Sequence, residues 1–194
     1  KNRDEAGDGW FVYHHKNTAA PETDYLVLNT TAATVDSDGY WNDTAPTSTL
    51  VTVGSAGETN RAEAQMAYCF AEVQGYSKFG SYTGNGGSGS SGSFCYLGFK
   101  PAFVMIKKTS GVSSWILFDN KRASTANVLE GTTGVNSYLE HTTGTEQGDN
   151  PIFFFSNGFQ TQDTIVNASG GAYIYIAFAE APLVNSNGVP CNAR

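Results

Sequence analysis

The sequence predicts an all-β protein, built as an antiparallel β-sandwich or jelly roll. Short apolar runs rich in aromatic and β-branched residues recur along the chain. Turn pairs such as Asp38-Gly39, Asn85-Gly86 and Asn157-Gly158 separate these runs. No long window has a helical period, and 22 of the 194 residues are glycine. This combination is typical of many short strands joined by turns.

The apolar runs predict strands at residues 10–16, 25–29, 49–53, 64–73, 94–99, 102–108, 115–119, 152–156 and 172–180. Large and small residues alternate in 64–73, which predicts large side chains in a core and a second layer close to the small ones. The run 172–180 is apolar on both faces, which predicts a central strand covered on both sides. Residues 61–70 also have helix-forming composition, but the matching Ser169-Gly170-Gly171 opposes a helix and favours a strand.

The sequence also predicts an internal duplication. Two runs end in Phe-Ala-Glu, at Glu72 and Glu180, and two runs begin with tryptophan, at Trp10 and Trp115. The spacing between the two landmarks is nearly the same in both places. We therefore divide the chain into a first copy, a second copy and a C-terminal tail, at residues 1–75, 76–184 and 185–194.

The predicted first copy is truncated at its N-terminus. In the second copy a Val-Met-Ile-Lys strand ends at Lys107, eight residues before Trp115, and Lys1 stands nine residues before Trp10. We expect the chain to be a fragment of a longer one that carries the lead-in strands. The alternative is that a neighbouring subunit supplies them.

A segment rich in glycine and serine, residues 84–92, lies inside the second copy. Its composition predicts a flexible hairpin loop between two strands rather than a domain boundary. It is not a phosphate-binding loop, because neither a Gly-Lys-Thr ending nor a helix follows it.

Charge and hydropathy exclude two classes of partner. The net charge of −7 repels phosphate backbones, so we expect no nucleic-acid partner. The longest apolar stretch, residues 173–179, is too short to span a bilayer, so we expect no membrane insertion. Cys69, Cys95 and Cys191 are an odd number without metal-ligand spacing, and the first two are expected to be small buried hydrophobes.

No catalytic residue, metal ligand or cofactor is predicted. Glycosidase chemistry needs two carboxylates that face one cleft. The duplication accounts for Glu72 and Glu180 more simply, as equivalent sheet-end residues that meet a lysine or a backbone amide. His14 and His15 are adjacent on a predicted strand, so their rings are expected on opposite faces, where one metal cannot bind both.

One pair of aromatic residues is a candidate for ligand binding. Tyr40 and Trp41 lie in a polar loop between Asp38 and Asp43. Aromatic rings beside asparagine and aspartate can stack on sugar rings while the polar groups bind hydroxyls. We therefore predict Tyr40 and Trp41 as glycan contacts. The alternative is that Trp41 plugs the end of the sandwich.

A series of motifs in fixed order carries a family resemblance. They are WNDTAPTS at 41–48, AYCFAEV at 67–73, KFGSYTGNG at 78–86, YLGFKPA at 96–102, SNGF at 156–159, AFAEAP at 177–182 and NAR at 192–194. With them the chain resembles the duplicated β-sandwich module of tail-fibre-like virion proteins of tailed phages, especially marine and cyanobacterial phages. At the level of the fold it also resembles the concanavalin-like sandwich.

The resemblance implies a phage virion structural protein, namely a tail fibre, a spike or a capsid-surface appendage. Such a protein acts in assembly and host-surface contact, at the virion surface or outside the cell. Its expected partners are other virion proteins, copies of itself in a homo-oligomer with a trimer favoured, and a host-surface glycan. The family has no catalytic residues to carry over. The alternatives are a lectin-like adhesion module outside a virion and, third, a glycan-degrading enzyme that uses Glu72 and Glu180.

Overall fold

The computed structural model describes residues 1–121, 137–148 and 151–180. This part of the chain is mostly β, and all its strand pairs are antiparallel. The strands are β1 (Phe11–Val12), β2 (Asp24–Val27), β3 (Val35–Asp36), β4 (Ser77–Thr83), β5 (Phe94–Tyr96), β6 (Pro101–Lys108), β7 (Trp115–Asp119), β8 (Tyr138–Glu140), β9 (Glu146–Gln147), β10 (Ile152–Phe155), β11 (Gly158–Thr161) and β12 (Ala172–Ala179). The α-helices are α1 (Asp38–Trp41), α2 (Gly57–Asn60) and α3 (Thr164–Asn167). The predicted all-β class is confirmed.

Two sheets form a sandwich. The larger sheet has six strands in the order β4-β12-β6-β7-β8-β9, and the smaller has three in the order β10-β11-β5. Their facing side chains form one apolar core, in which alternate residues of each strand point inward. The buried members of this core are Cys95, Leu97, Phe99, Val104, Ile106, Ile116, Phe118, Tyr138, Ile152, Phe154, Phe159, Val166, Tyr173, Tyr175 and Ala177.

The strand β12 lies inside the larger sheet, between β4 and β6. Tyr173, Tyr175 and Ala177 enter the core of the sandwich, because they share one face of the strand. Ile174 points to the opposite face, where it packs with Leu26 in a second buried cluster. The prediction of a central strand covered on both sides is therefore confirmed.

A third sheet, of order β1-β2-β3, covers the outer face of the larger sheet. Leu26 of β2 is fully buried against Trp115 and Ile174. The indole N–H of Trp115 donates a hydrogen bond to the carbonyl oxygen of Val27 at 2.9 Å. Because the apolar contact is small, this directed bond helps to fix how the third sheet sits on the larger one.

The third sheet and one end of the larger sheet are paired alike. β1 pairs with β2 and β2 with β3, as β7 pairs with β8 and β8 with β9. The first residue of β1 in this ladder follows Trp10 directly, and Ile116 follows Trp115 in the same way. The internal duplication and the domain division at residue 75 stay predictions that this likeness motivates.

Two predicted strands are not formed. Residues 49–53 belong to no strand, and 64–73 contributes only isolated bridges, from Gln65 to Asn2 and from Val73 to Ser77. A strand is defined by a partner that takes its backbone hydrogen bonds, and periodicity in one segment does not supply that partner. Conversely, β3, β8, β9 and β11 were not among the predicted runs, because polar residues or glycine interrupt them.

The glycine-rich segment 84–92 connects the two sheets of the sandwich, from β4 to β5, so the prediction of a hairpin is wrong. The fully buried amide of Asn167 holds this connection. Its Nδ2 donates to the Oδ1 of Asn85 at 2.8 Å and to the carbonyl of Gly87 at 2.6 Å. Its Oδ1 accepts from the backbone N–H of Asn85 at 3.1 Å and from the hydroxyl of Ser93 at 3.0 Å. Composition alone predicted a flexible loop because this partner is distant in sequence.

Among the described residues, no helix is long or apolar enough to cross a membrane.

We expect Asn167→Ala to lower the free energy of unfolding by roughly 2–4 kcal/mol, because several buried polar groups lose their partner together. Urea denaturation followed by tryptophan fluorescence measures this. Gln74→Ala, at an exposed turn position, is the control and should change stability by no more than about 0.5 kcal/mol. Equal stability of the two variants would contradict the role assigned to Asn167.

Candidate functional site

An exposed segment, residues 61–74, lies between the helix α2 and the strand β4. Its large apolar side chains recur at every second position. Met66, Tyr68 and Phe70 are 39%, 67% and 63% exposed. The prediction that these side chains fill a core is wrong in this structure. Contiguous exposed apolar groups of this kind mark interaction surfaces in soluble proteins.

The backbone of residues 67–70, called here the open edge, is unpaired. In the part of the chain that the structure describes, the residues on either side of the open edge do form hydrogen bonds. Before it, Ala64 and Met66 bond to backbone groups, and after it, the carbonyl of Ala71 accepts from the hydroxyl of Ser77. None joins the open edge to another strand. Unpaired N–H and C=O groups in an extended segment are a template for strand addition.

Aromatic contacts hold the open edge against the rest of the protein. Tyr68 stacks on Trp10, with ring centroids 5.9 Å apart. Phe70 contacts Phe79 of β4 at 6.3 Å and Phe178 of β12 at 5.9 Å. Because each of these contacts covers only part of a ring, the result is a half-covered aromatic strip beside unpaired backbone.

The predicted glycan contacts, Tyr40 and Trp41, lie on the helix α1 and not in a loop. Trp41 is buried, 8% exposed, and its indole N–H donates to the carbonyl of Asp24 at 2.9 Å. This burial fits the alternative, a structural plug, and a glycan contact at Trp41 stays a prediction. Tyr40 is half-buried, with its ring 4.4 Å from Phe11 and 4.0 Å from Tyr25. A glycan contact at Tyr40 stays a prediction.

His14 and His15 do not point to opposite faces, because β1 ends before them at Val12. Their rings are stacked, with centroids 5.4 Å apart. His14 is buried, and its Nε2 donates to the carbonyl of Tyr175 at 3.2 Å while its Nδ1 accepts from the N–H of Lys16 at 3.1 Å. These two bonds fix one neutral tautomer, so His14 joins the first part of the chain to β12.

A buried lysine was missed by the sequence reasoning. Lys107 is fully buried, and its ammonium donates to the carbonyls of Thr31, at 3.0 Å, and Ser113. It lies 6.0 Å from the centroid of the Trp115 ring. Burial lowers its pKa to about 8. The sequence contained one signal of this burial: Lys107 shares a strand face with the apolar Met105. Through these contacts Lys107 links the larger sheet to the chain that follows β2.

The two carboxylates at equivalent run ends have structural partners, as predicted. Glu180 forms a salt bridge with Lys100 at 2.8 Å and accepts from the amide of Asn120 at 2.9 Å. Glu72 accepts from the backbone N–H of Phe79 at 3.0 Å. The expectation that such residues meet a lysine or a backbone amide is confirmed.

Metal-binding and thiol groups give little further chemistry. Within residues 1–121, 137–148 and 151–180, no three His, Cys, Asp or Glu side chains cluster as metal ligands do. Cys95 is buried as predicted, and burial raises its pKa to about 12, which makes it a poor nucleophile. Cys69 is exposed on the open edge, so the prediction of burial is wrong there. Cys191 lies outside the described residues.

Comparison with protein families gives one match, which covers almost the whole chain. The family is described as a domain of unknown function, DUF7483, and the match spans residues 1–182. Comparison with curated proteins and with solved structures found no match.

We expect the protein to become less stable as the pH is lowered, because of His14. Its folded-state pKa is lowered to about 4, chiefly by burial, from the ordinary histidine value of 6.5. Between these two values the unfolded chain binds a proton that the folded chain does not. The free energy of unfolding should therefore drop by about 3 kcal/mol from pH 7 to pH 4 on this account.

Urea denaturation at several pH values tests this. His14→Gln keeps a donor toward the carbonyl of Tyr175 and should remove most of this dependence. Burial lowers the pKa of His15 less, so His15→Gln should keep most of it. An unchanged pH dependence in His14→Gln would show that other groups cause the loss.

Proposed function

The chain belongs to the DUF7483 family, and on this premise we propose that it is a structural module of a tailed-phage virion: a tail fibre, a spike or a capsid-surface appendage. It acts by assembly and host-surface contact, without catalysis. Its partners are other virion proteins and copies of itself, with a trimer favoured. The ordered motifs at 41–48, 67–73 and 78–86, among others, support the proposal through their resemblance to tail-fibre-like proteins.

The observation that carries the proposal is the strip of Met66, Tyr68 and Phe70 beside the open edge. Aromatic residues and methionine are enriched in protein–protein interfaces, and unpaired strand backbone gives such an interface direction and register. A protein that works by assembly needs a surface of this kind. Tyr68 and Phe70 keep more than half of their surface free for a partner.

The chemistry of the reactive side chains supports a role without catalysis. Glu72 and Glu180 are engaged in structural contacts, and the Cys95 thiol is buried with a raised pKa. General acid–base catalysis needs groups that are poised near the working pH and face a substrate. Of the described histidines, His14 has both ring nitrogens occupied by backbone partners.

Purified particles of the phage that encodes the chain test the proposal. We expect mass spectrometry to detect the protein in the particles. Tyr68→Asp should reduce its incorporation at least about tenfold, because a charge in an apolar interface costs one or more kcal/mol. Val112→Asp, at an apolar residue that is 78% exposed in the turn after β6, is the matched control and should be incorporated normally. Absence of the protein from particles would overturn the proposal.

We expect Trp41 to act in folding and not in sugar binding. Trp41→Phe removes the indole donor to Asp24 and should lower the free energy of unfolding by about 1–3 kcal/mol. Urea denaturation measures this, and a host-glycan array measures binding. A variant with normal stability that loses glycan binding would contradict this assignment and restore the lectin-like alternative.

A further inference from the structure

The strand β12 and the segment 64–73 both end in Phe-Ala-Glu, but their surroundings differ. β12 pairs with β6 along one edge and with β4 along the other. The first segment has backbone partners at 64–66, whereas the open edge has none among the described residues. The same kind of sequence is therefore a paired central strand in one place and an unpaired extended segment in the other.

The start of the chain pairs with the beginning of this segment. The N–H of Met66 donates to the carbonyl of Lys1 at 2.9 Å, and the amino group of Lys1 donates to the carbonyl of Met66 at 3.1 Å. Asn2 forms an antiparallel bridge with Gln65. Residues 1–3 therefore run antiparallel to 64–66, in the manner of the last residues of a β-strand.

The register of this pairing is that of β6 on β12. Lys107 is opposite Ile174 and Lys108 is opposite Tyr173. Counted back from the shared Phe-Ala-Glu ending, Ile174 corresponds to Met66. Lys1 thus occupies the place of Lys107, at the end of a Val-Met-Ile-Lys strand.

The bridge at Asn2 is well anchored. Asn2 is fully buried, its Nδ2 donates to Glu63 at 2.6 Å, and its Oδ1 accepts from the N–H groups of Asp4 and Glu5 at 2.9 and 3.3 Å. The direction of the chain at Lys1 is therefore set. An antiparallel strand that is joined to Lys1 must run along the open edge.

The side chains of the open edge define the chemistry of that strand. Directly opposed residues in an antiparallel pair lie on the same face. The second residue before Lys1 would face Tyr68, and the fourth would face Phe70. In β6 the corresponding pairs are Met105 with Ile176 and Phe103 with Phe178, and the last two rings are 6.0 Å apart.

We propose that the open edge is a docking site for one added β-strand, which runs antiparallel to it in line with residues 1–3 and is apolar at the two residues that face Tyr68 and Phe70. This strand pairs with residues 67–70 and covers the exposed rings of Tyr68 and Phe70. The proposal does not depend on the virion role.

Hydrogen exchange on an extended chain tests the proposal. A copy of residues 102–106, Ala-Phe-Val-Met-Ile, is fused directly before Lys1, which places methionine second and phenylalanine fourth. We expect the amides of 67–70 to exchange at least about tenfold more slowly than in the unextended chain. The control extension carries serine at those two positions and should protect much less. Slow exchange of the β12 amides in all three proteins verifies that each is folded.

Three results would overturn the proposal. The first is unchanged exchange at 67–70 in the extended chain. The second is equal protection by the serine control, which would show that the apolar positions do not matter. The third is protection of the unextended chain that rises with protein concentration, because a second copy would then be the occupant.

A disulfide tests the register independently. The third residue before Lys1 would lie opposite Cys69, whose thiol is exposed. These two residues would form a non-hydrogen-bonded pair, the kind of antiparallel pair in which the side chains are closest. In an extended chain with Cys191→Ser, cysteine at the third position should form a disulfide with Cys69 under mild oxidation. Cysteine at the second position faces the other side and should not. The reverse result would contradict the register.

Discussion

The position of β12 between β4 and β6 is the constraint on which the other layers depend. Its side chains alternate between two covered faces, so Tyr173 and Tyr175 meet the smaller sheet while Ile174 meets the third sheet. A slip of one residue would exchange these faces and place large side chains in the wrong layers. Backbone ladders on both edges resist such a slip. Both cores therefore rest on the register of this one strand.

The sequence predicted the features that local pattern and repetition determine. The alternation of apolar residues in 172–180 specified a strand with two buried faces, and such a strand must be central. The carboxylates of Glu72 and Glu180 were predicted to meet a lysine or a backbone amide, and each of them does. These inferences needed no knowledge of which strands are neighbours.

The parts that the sequence did not predict depend on partners distant along the chain. Residues 64–73 have the alternation of a strand, yet an extended segment becomes a strand only where another backbone takes its hydrogen bonds. Segment 84–92 has the composition of a flexible loop, yet the buried amide of Asn167 holds it. Trp41 was expected in a loop because its neighbours are polar, while it lies on α1 and its N–H donates to the carbonyl of Asp24. Local composition carries no record of these contacts.

Polar contacts between the layers explain why the first part of the chain keeps its place with so little apolar burial. The ammonium of Lys107, the imidazole of His14 and the indole N–H of Trp115 each donate to a backbone carbonyl across the boundary with the third sheet. Such bonds are directional, and breaking one leaves a buried polar group unpaired. They therefore fix an orientation that the apolar cluster of Leu26, Trp115 and Ile174 would fix less firmly alone. This fixed orientation also presents the open edge in a constant geometry, which is what recognition by an added strand requires.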